Sequence, residues 1–182
     1  MIKHLELFSG IGGFRKAIDL IGSDYGIPIE CVGFSERDEF ALKTYKANFD
    51  ITNEIELGDI DLFTKSKNNI LSLPNFSLLS GGFPCQSFSM MGKKQGFNDA
   101  RGNTFYRIID IVKVKKPDFL LLENVKNLKT HDGGNTFKVI IETLKKSGYK
   151  TVLFDVFNSA NFSLAQTRNR VFIFASRKQM KM

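Results

Sequence analysis

The chain alternates repeatedly between short apolar runs of β type and stretches whose apolar residues recur at helical spacing. IKHLELF (2–8) reads as a strand, and a helix follows over residues 12–21. IECVGFS (29–35) predicts a second strand, and EFALKTYKANF (39–49) a helix with apolar residues three and four apart. IELGDI (55–60) predicts a short third strand and FSLLSGG (76–82) a fourth. An amphipathic helix is predicted over 103–116, stopped by Pro117, then a strand apolar on both faces over 118–125. A helix over 134–148 ends at Gly148, and strands over 149–158 and 170–177 close the series. Continuous apolar strands interleaved with helices imply a mainly parallel sheet covered on both faces. About a dozen residues with no strong helix signal join the last two strands, which predicts an antiparallel pair at one edge. The expected class is α/β, three-layered and Rossmann-like, as a single domain over residues 1–182.

Composition narrows the setting. The 182 residues are 42% hydrophobic and 25% charged, enough for one domain with a core. No run approaches the ~18 apolar residues of a membrane span, and Glu6 and Gly10 interrupt any signal-peptide pattern. Two cysteines argue against a disulfide framework and fit a reducing cytoplasm. His4 and His131 stand apart from other ligand types, so no metal is predicted. The net charge of +7 suits a nucleic-acid surface and lysine-solvated helices equally well.

In an open parallel sheet, ligands bind beyond the carboxyl ends of the strands. The residues expected there are unusual as a set. Strand one is followed by SGIGGF, strand two by Glu36 and strand three by Asp59. Strand four leads into Pro84-Cys85-Gln86, and strand five ends at Glu123-Asn124-Val125. The glycines let a ligand approach the backbone at a helix start. An acid at the position of Glu36 can accept from both hydroxyls of a ribose, although a surface carboxylate would look the same. Together with Asp59 this suggests an adenosine-type cofactor, and the absence of a P-loop lysine argues against a nucleoside triphosphate. Cys85, at a strand end beside the glycine-rich SFSMMGKKQGF, is a candidate nucleophile, whereas Cys31 reads as core. Glu123 leaves a very apolar run, so a raised pKa and a hydrogen-bond-donating carboxyl are expected. Gln166, Arg168 and Arg170 alternate and would share one face of an extended segment, a fork suited to a phosphate or a base edge.

Taken in order, these segments resemble one family, the DNA (cytosine-5) methyltransferases that use S-adenosylmethionine. LELFSGIGGF, SERD, GDI, GGFPCQSFS, DARGNTFY, LLENV and QTRNR are similar to its successive motifs and run from residue 5 nearly to the end. The resemblance implies that Phe8, Ser9, Gly10, Gly12 and Gly13 hold the cofactor, with Glu36 on its ribose and Asp59 and Ile60 beside its adenine. It implies that Cys85 adds to C6 of a cytosine flipped out of double-stranded DNA, that Glu123 contacts N3 and the exocyclic amine, and that Arg168 and Arg170 support the base. It further implies substrate contacts from Pro84, Gln86, Ser89, Arg101, Asn124, Val125 and Gln166, and S-adenosylhomocysteine as product.

The sequence departs from the family pattern at three positions. Thr104 replaces a common leucine, Ala165 a usual proline, and Arg37 stands where an apolar cofactor-stacking residue is frequent. The family pattern also continues beyond QTRNRVFIFASR with a target-recognition region and a returning C-terminal segment. The expectation is therefore the catalytic part of a split enzyme, completed by a second protein chain. The first strand and helix are expected to lack a covering neighbour and to leave an apolar patch. The alternatives are a folded but inactive truncated methyltransferase that only binds cofactor, or a tRNA cytosine-5 methyltransferase fragment. An NAD-binding oxidoreductase fragment would leave Pro84-Cys85 and Glu123 unexplained.

Overall fold

The computed structural model describes residues 1–84 and 104–180. Its strands are β1 (Ile2–Leu7), β2 (Ile29–Ser35), β3 (Ile55–Glu56), β4 (Leu78–Gly82), β5 (Phe119–Val125), β6 (Thr151–Asn158) and β7 (Asn169–Ser176). Its helices are α1 (Gly13–Tyr25), α2 (Glu39–Asn48), α3 (Ile60–Phe63), α4 (Lys67–Ser72), α5 (Thr104–Lys115) and α6 (Asn135–Lys146). The strands form one sheet in the order β3-β2-β1-β4-β5-β7-β6. The pairs from β3 to β5 are parallel, and β7 runs antiparallel to both β5 and β6. The expected antiparallel edge pair is therefore present, with β7 inserted between β5 and β6.

Register divides the sheet into two unlike faces. Leu5 and Leu7 of β1, Leu79 of β4, Leu120 and Leu122 of β5, and Val171, Ile173 and Ala175 of β7 lie on one face, nearly all fully buried. Ile70 of α4, Phe105, Ile108 and Val112 of α5, and Ile140 and Leu144 of α6 pack into that face. Burial of each such side chain stabilises the fold by roughly 1.5–3 kcal/mol, which makes this layer the main core.

The opposite face is polar at its centre. His4 and Glu6 of β1 and Ser80 of β4 are completely buried there, and His4 Nε2 lies 2.7 Å from Ser80 Oγ. The expectation that the first strand and helix would both lie uncovered does not hold for the strand. His4 to Leu7 are buried, because α1 and α2 bring Arg15 and Tyr45 against Glu6. For the helix it does hold, with Leu20, Ile21 and Tyr25 of α1 exposed, and exposed apolar residues occur also on β6, at Leu153 and Phe157. Phe119 and Leu121 of β5 and Phe172 and Phe174 of β7 are half-buried on this same face.

Local chemistry sets the element ends. Asp38 caps α2 by accepting from the Ala41 N–H at 2.8 Å. Asp59 does the same for α3 through the Asp61 N–H at 2.8 Å. The predicted third strand contracts to Ile55–Glu56, since the chain turns at Gly58 and enters α3. No helix of the described residues is long and apolar enough to cross a membrane.

Candidate active site

The carboxyl ends of β1, β2, β3 and β4 surround a cavity of about 240 Å³. Its walls are Phe8, Ser35, Glu36, Arg37, Gly58, Asp59, Ile60, Asp61, Gly82, Pro84 and Thr104. The glycine turn between β1 and α1 adjoins it. Gly12 has φ +93°, and a Cβ there would lie 2.1 Å from the Phe49 ring, so only glycine fits. Ser9 Oγ is buried in the turn with no hydrogen-bond partner among the described residues, an orphaned group to which a ligand or water can bond.

Glu36 binds more of the protein than the sequence suggested. Its Oε2 accepts from the Gly10 N–H at 2.8 Å, and its Oε1 accepts from the N–H groups of Arg37 and Asp38, both at 2.8 Å. This clamps the glycine turn to the end of β2. A carboxylate has about four acceptor sites, so one stays free for a ligand hydroxyl. Asp59 uses Oδ1 as a helix cap. Ser35 Oγ donates to the Gly58 carbonyl at 3.0 Å and ties the two walls together. With Glu36, Asp59 and Asp61 in its walls beside Arg37, the single cation among the described lining residues, the cavity is acceptor-rich, which suits hydroxyls, an exocyclic amine and a cationic sulfur.

A second hollow, about 540 Å³, lies across β5, β7 and the segment between β6 and β7. Phe157, Phe162, Leu164, Leu121 and Phe172 form its apolar floor, and Glu123, Arg168 and Arg170 its polar edge. Register explains the pairing at that edge, since Glu123 is opposite Phe172, two residues on from Arg170. Arg170 Nε lies 2.7 Å from Glu123 Oε1. Burial raises the Glu123 pKa and outweighs the opposing charges of Arg170 and Arg168. Glu123 is also opposite Gly82, where a Cβ would come within 3.1 Å of its Oε2.

The two hollows thus flank the end of β4. Gly82 and Pro84 line the first, while Glu123, the partner of Gly82, lines the second. Cys85 is the next residue of the chain. Cys85, Gln86, Ser89 and Arg101 lie outside the described residues. Asn124 points into the core side, 2% exposed, where its Nδ2 donates to the Phe83 carbonyl at 2.8 Å. Val125 is exposed at the rim. Gln166 and Arg168 precede β7 rather than extending it, and both are exposed. Arg168 and Arg170 line the second hollow, and Gln166 does not. Ser35, Asp61 and Gly82 were not singled out in the sequence, and neither was the aromatic floor. Phe157 and Phe172 alternate as any strand residues do and Phe162 lies in the turn after β6, so periodicity could not mark them as a lining.

An open α/β sheet with this strand order and this acceptor-rich cavity at its rim defines a Rossmann-like methyltransferase fold. The chain superposes over its whole length on two solved methyltransferases. One is Dnmt2 of S. pombe, with a TM-score of 0.75, 22% identity and 53% of that chain covered. The other is EhMeth of Entamoeba histolytica, with a TM-score of 0.76, 26% identity and 55% covered. The C-5 cytosine-specific DNA methylase family matches residues 2–182, and the chain belongs to that family. It is 44% identical over 173 residues to the type II methyltransferase M.NgoBI of Neisseria gonorrhoeae, covering 95% of this chain and 50% of that protein. It is 41% identical over 179 residues to an orphan methyltransferase of Bacillus phage rho11s, covering 98% of this chain and 34% of the relative. The chain therefore spans half or less of the length of these relatives.

Proposed function

We propose that this chain is the catalytic and cofactor-holding region of a DNA (cytosine-5) methyltransferase acting in the cytoplasm. The observation that carries the reading is the Glu123–Arg170 pair facing Gly82, three residues before Cys85. S-adenosylmethionine, when bound, supplies the methyl group that cytosine C5 takes. The glycine turn, Glu36 and the Asp59–Ile60 wall would hold it, with the one free acceptor site of Glu36 available to a hydroxyl and the uncommitted oxygen of Asp59 to an amine.

The chain's own residues do the rest. The Cys85 thiolate adds to C6 of a cytosine extruded from double-stranded DNA, and the electron pair of the 5,6-bond moves toward C5 and N3. Glu123, protonated to a greater extent than an ordinary carboxyl, gives its proton to N3 as that charge develops. Arg170 keeps the Glu123 carboxyl oriented, and Arg168 stands on the outer side of the same hollow. After C5 is alkylated, N3 returns its proton to the Glu123 carboxylate, and solvent water takes the C5 proton as the C5–H electron pair re-forms the 5,6-bond and the C6–S pair leaves with the Cys85 thiolate. Asn124 acts on this step indirectly, by anchoring the Phe83 carbonyl at the base of the segment carrying Cys85.

Target recognition is assigned to polypeptide other than these residues, in this reading a second protein chain. The half-buried aromatics of β5 and β7 and the exposed Leu153 and Phe157 support a covering partner on that face. The test is methyl transfer from labelled S-adenosylmethionine to duplex DNA, by the chain alone and with the remaining polypeptide of a relative added. Transfer only with the added polypeptide is expected. Robust sequence-specific transfer by the chain alone overturns the split reading, and transfer to tRNA in preference to DNA overturns the substrate.

A further inference from the structure

The outer wall of the cofactor cavity is held to the sheet by few bonds, chiefly the Leu57 N–H to the Phe34 carbonyl at 2.8 Å and Ser35 Oγ to the Gly58 carbonyl at 3.0 Å. β3 contains only Ile55 and Glu56, both exposed, and it pairs with β2 through Gly33 and Phe34 alone. Two residues after β3 the chain becomes Gly58-Asp59-Ile60, which is that wall. A two-residue ladder is a weak tether for a ligand-binding surface.

A buried ion pair stands just before the strand. Arg15, in the first turn of α1, pairs through Nη1 with Glu54 Oε1, and the Glu54 side chain is only 4% exposed. The Arg15 Nε pairs with Asp19 at 2.8 Å, and its guanidinium lies 5.2 Å above the centre of the Phe49 ring. That same ring abuts Gly12. The Arg15 backbone N–H donates to Glu6 Oε1 at 3.3 Å, and the Tyr45 hydroxyl donates to Glu6 Oε2 at 3.3 Å. Arg15 thus joins the exit of the glycine turn to the segment that enters β3. α1 has no side-chain cap of its own, and its first turn contains no acid.

We infer that Arg15 and Glu54 are positioning residues of the cofactor cavity, adding to these few sheet bonds a second tie that holds the Gly58–Ile60 wall against the glycine turn. The inference takes from the proposed function only the identity of what fills the cavity. A pair that merely stabilised the domain would affect the whole core together. A positioning pair affects the two walls and leaves the β4-β5-β7 layer intact.

Replacing a buried ion pair by apolar residues often leaves stability unchanged, so the double variant Arg15→Met/Glu54→Leu separates the two roles. Amide hydrogen exchange is read first, without ligand. Residues 10–16 and 58–63 are expected to exchange at least about tenfold faster than in wild type, with β4, β5 and β7 still protected. Calorimetric titration with S-adenosylhomocysteine is expected to show affinity at least about tenfold weaker at a melting temperature close to wild type. Unchanged exchange at both segments overturns the inference, and so does a uniform rise across the core. Should the double variant not fold, Glu54→Gln is read in the same way, with local acceleration supporting the inference and a global or absent change overturning it. If wild type binds no S-adenosylhomocysteine, the cofactor assignment fails, while ligand-free exchange still decides on the tie.

Discussion

The side-chain amide of Asn124 donates a 2.8 Å hydrogen bond to the carbonyl of Phe83, joining the end of β5 to the chain leaving β4. Its Oδ1 at the same time accepts from the Val125 N–H at 2.8 Å. The end of the strand bearing Glu123 is thereby locked to the start of the segment bearing Cys85, with both partners buried. Asn124→Ala removes this buried hydrogen bond, a loss of about 0.5–1.5 kcal/mol. Asn124→Asp places a charge there and is expected to be worse. Chemical denaturation measures the cost. The account also expects kcat to fall while the affinity for S-adenosylhomocysteine stays near wild type, since this bond lies on the substrate side of β4.

The buried pair of His4 and Glu6 should give opposing pH dependences of stability. Burial lowers the His4 pKa from 6.5 to about 3, with Arg15 adding to the effect. Burial raises the Glu6 pKa from 4.5 to about 7 against the pull of Arg15 and Tyr45. For His4 the folded value is depressed, so its contribution is present above 6.5 and is lost as pH falls toward 3. For Glu6 the folded value is raised, so its contribution is full below 4.5 and is lost as pH rises through about 7. Between 4.5 and 6.5 the two slopes oppose each other. Glu6→Gln is expected to leave the His4 slope unopposed, so stability falls on acidification by up to about 1.4 kcal/mol per pH unit. His4→Gln should produce the reverse slope. Urea titrations at a series of pH values check this, and parallel curves for wild type and both variants would contradict it.

Two glycines of positive φ separate space from conformation. Gly12 has φ +93°, and a Cβ there would overlap the Phe49 ring, whereas Gly26 has φ +63° and open space around it. Gly26→Ala is expected to cost about 1–2 kcal/mol, the strain of the left-handed conformation alone. Gly12→Ala adds displacement of Phe49 and should cost clearly more. It is also expected to weaken S-adenosylhomocysteine binding at least about tenfold, which Gly26→Ala should leave unchanged. Thermal melts and calorimetric titration of both variants check the contrast.

Much of the fold was legible because its signals are local. The run at 29–35 became β2 with the same bounds, and Pro117 ended the helix before it, although the backbone already turns at Lys116 with φ +51°. Signals that depend on distant residues were not legible. α3 has four residues and α4 six, too short for periodicity to register, and α3 begins where Asp59 caps it. The insertion of β7 between β5 and β6 is a choice of partner, which no window of sequence contains. The rim residues could be named from their positions after each strand. That Glu36 would bind the Gly10 amide, 26 residues away, could not, because a carboxylate that clamps backbone looks the same in sequence as one left for a ligand.

The central claim is that Cys85 attacks the base while Glu123 and Arg170 stand ready on the neighbouring strands. It is tested most directly with duplex DNA carrying 5-fluorocytosine, which lacks the C5 proton needed to expel the thiolate. The chain, S-adenosylmethionine and the completing polypeptide are incubated with that DNA, run on a denaturing gel, and the crosslinked peptide is sequenced by mass spectrometry. The account expects a stable adduct on Cys85 that is absent in Cys85→Ser and forms at least about a hundredfold more slowly in Glu123→Gln. An adduct on another residue, or methyl transfer that survives in Cys85→Ser, would contradict it.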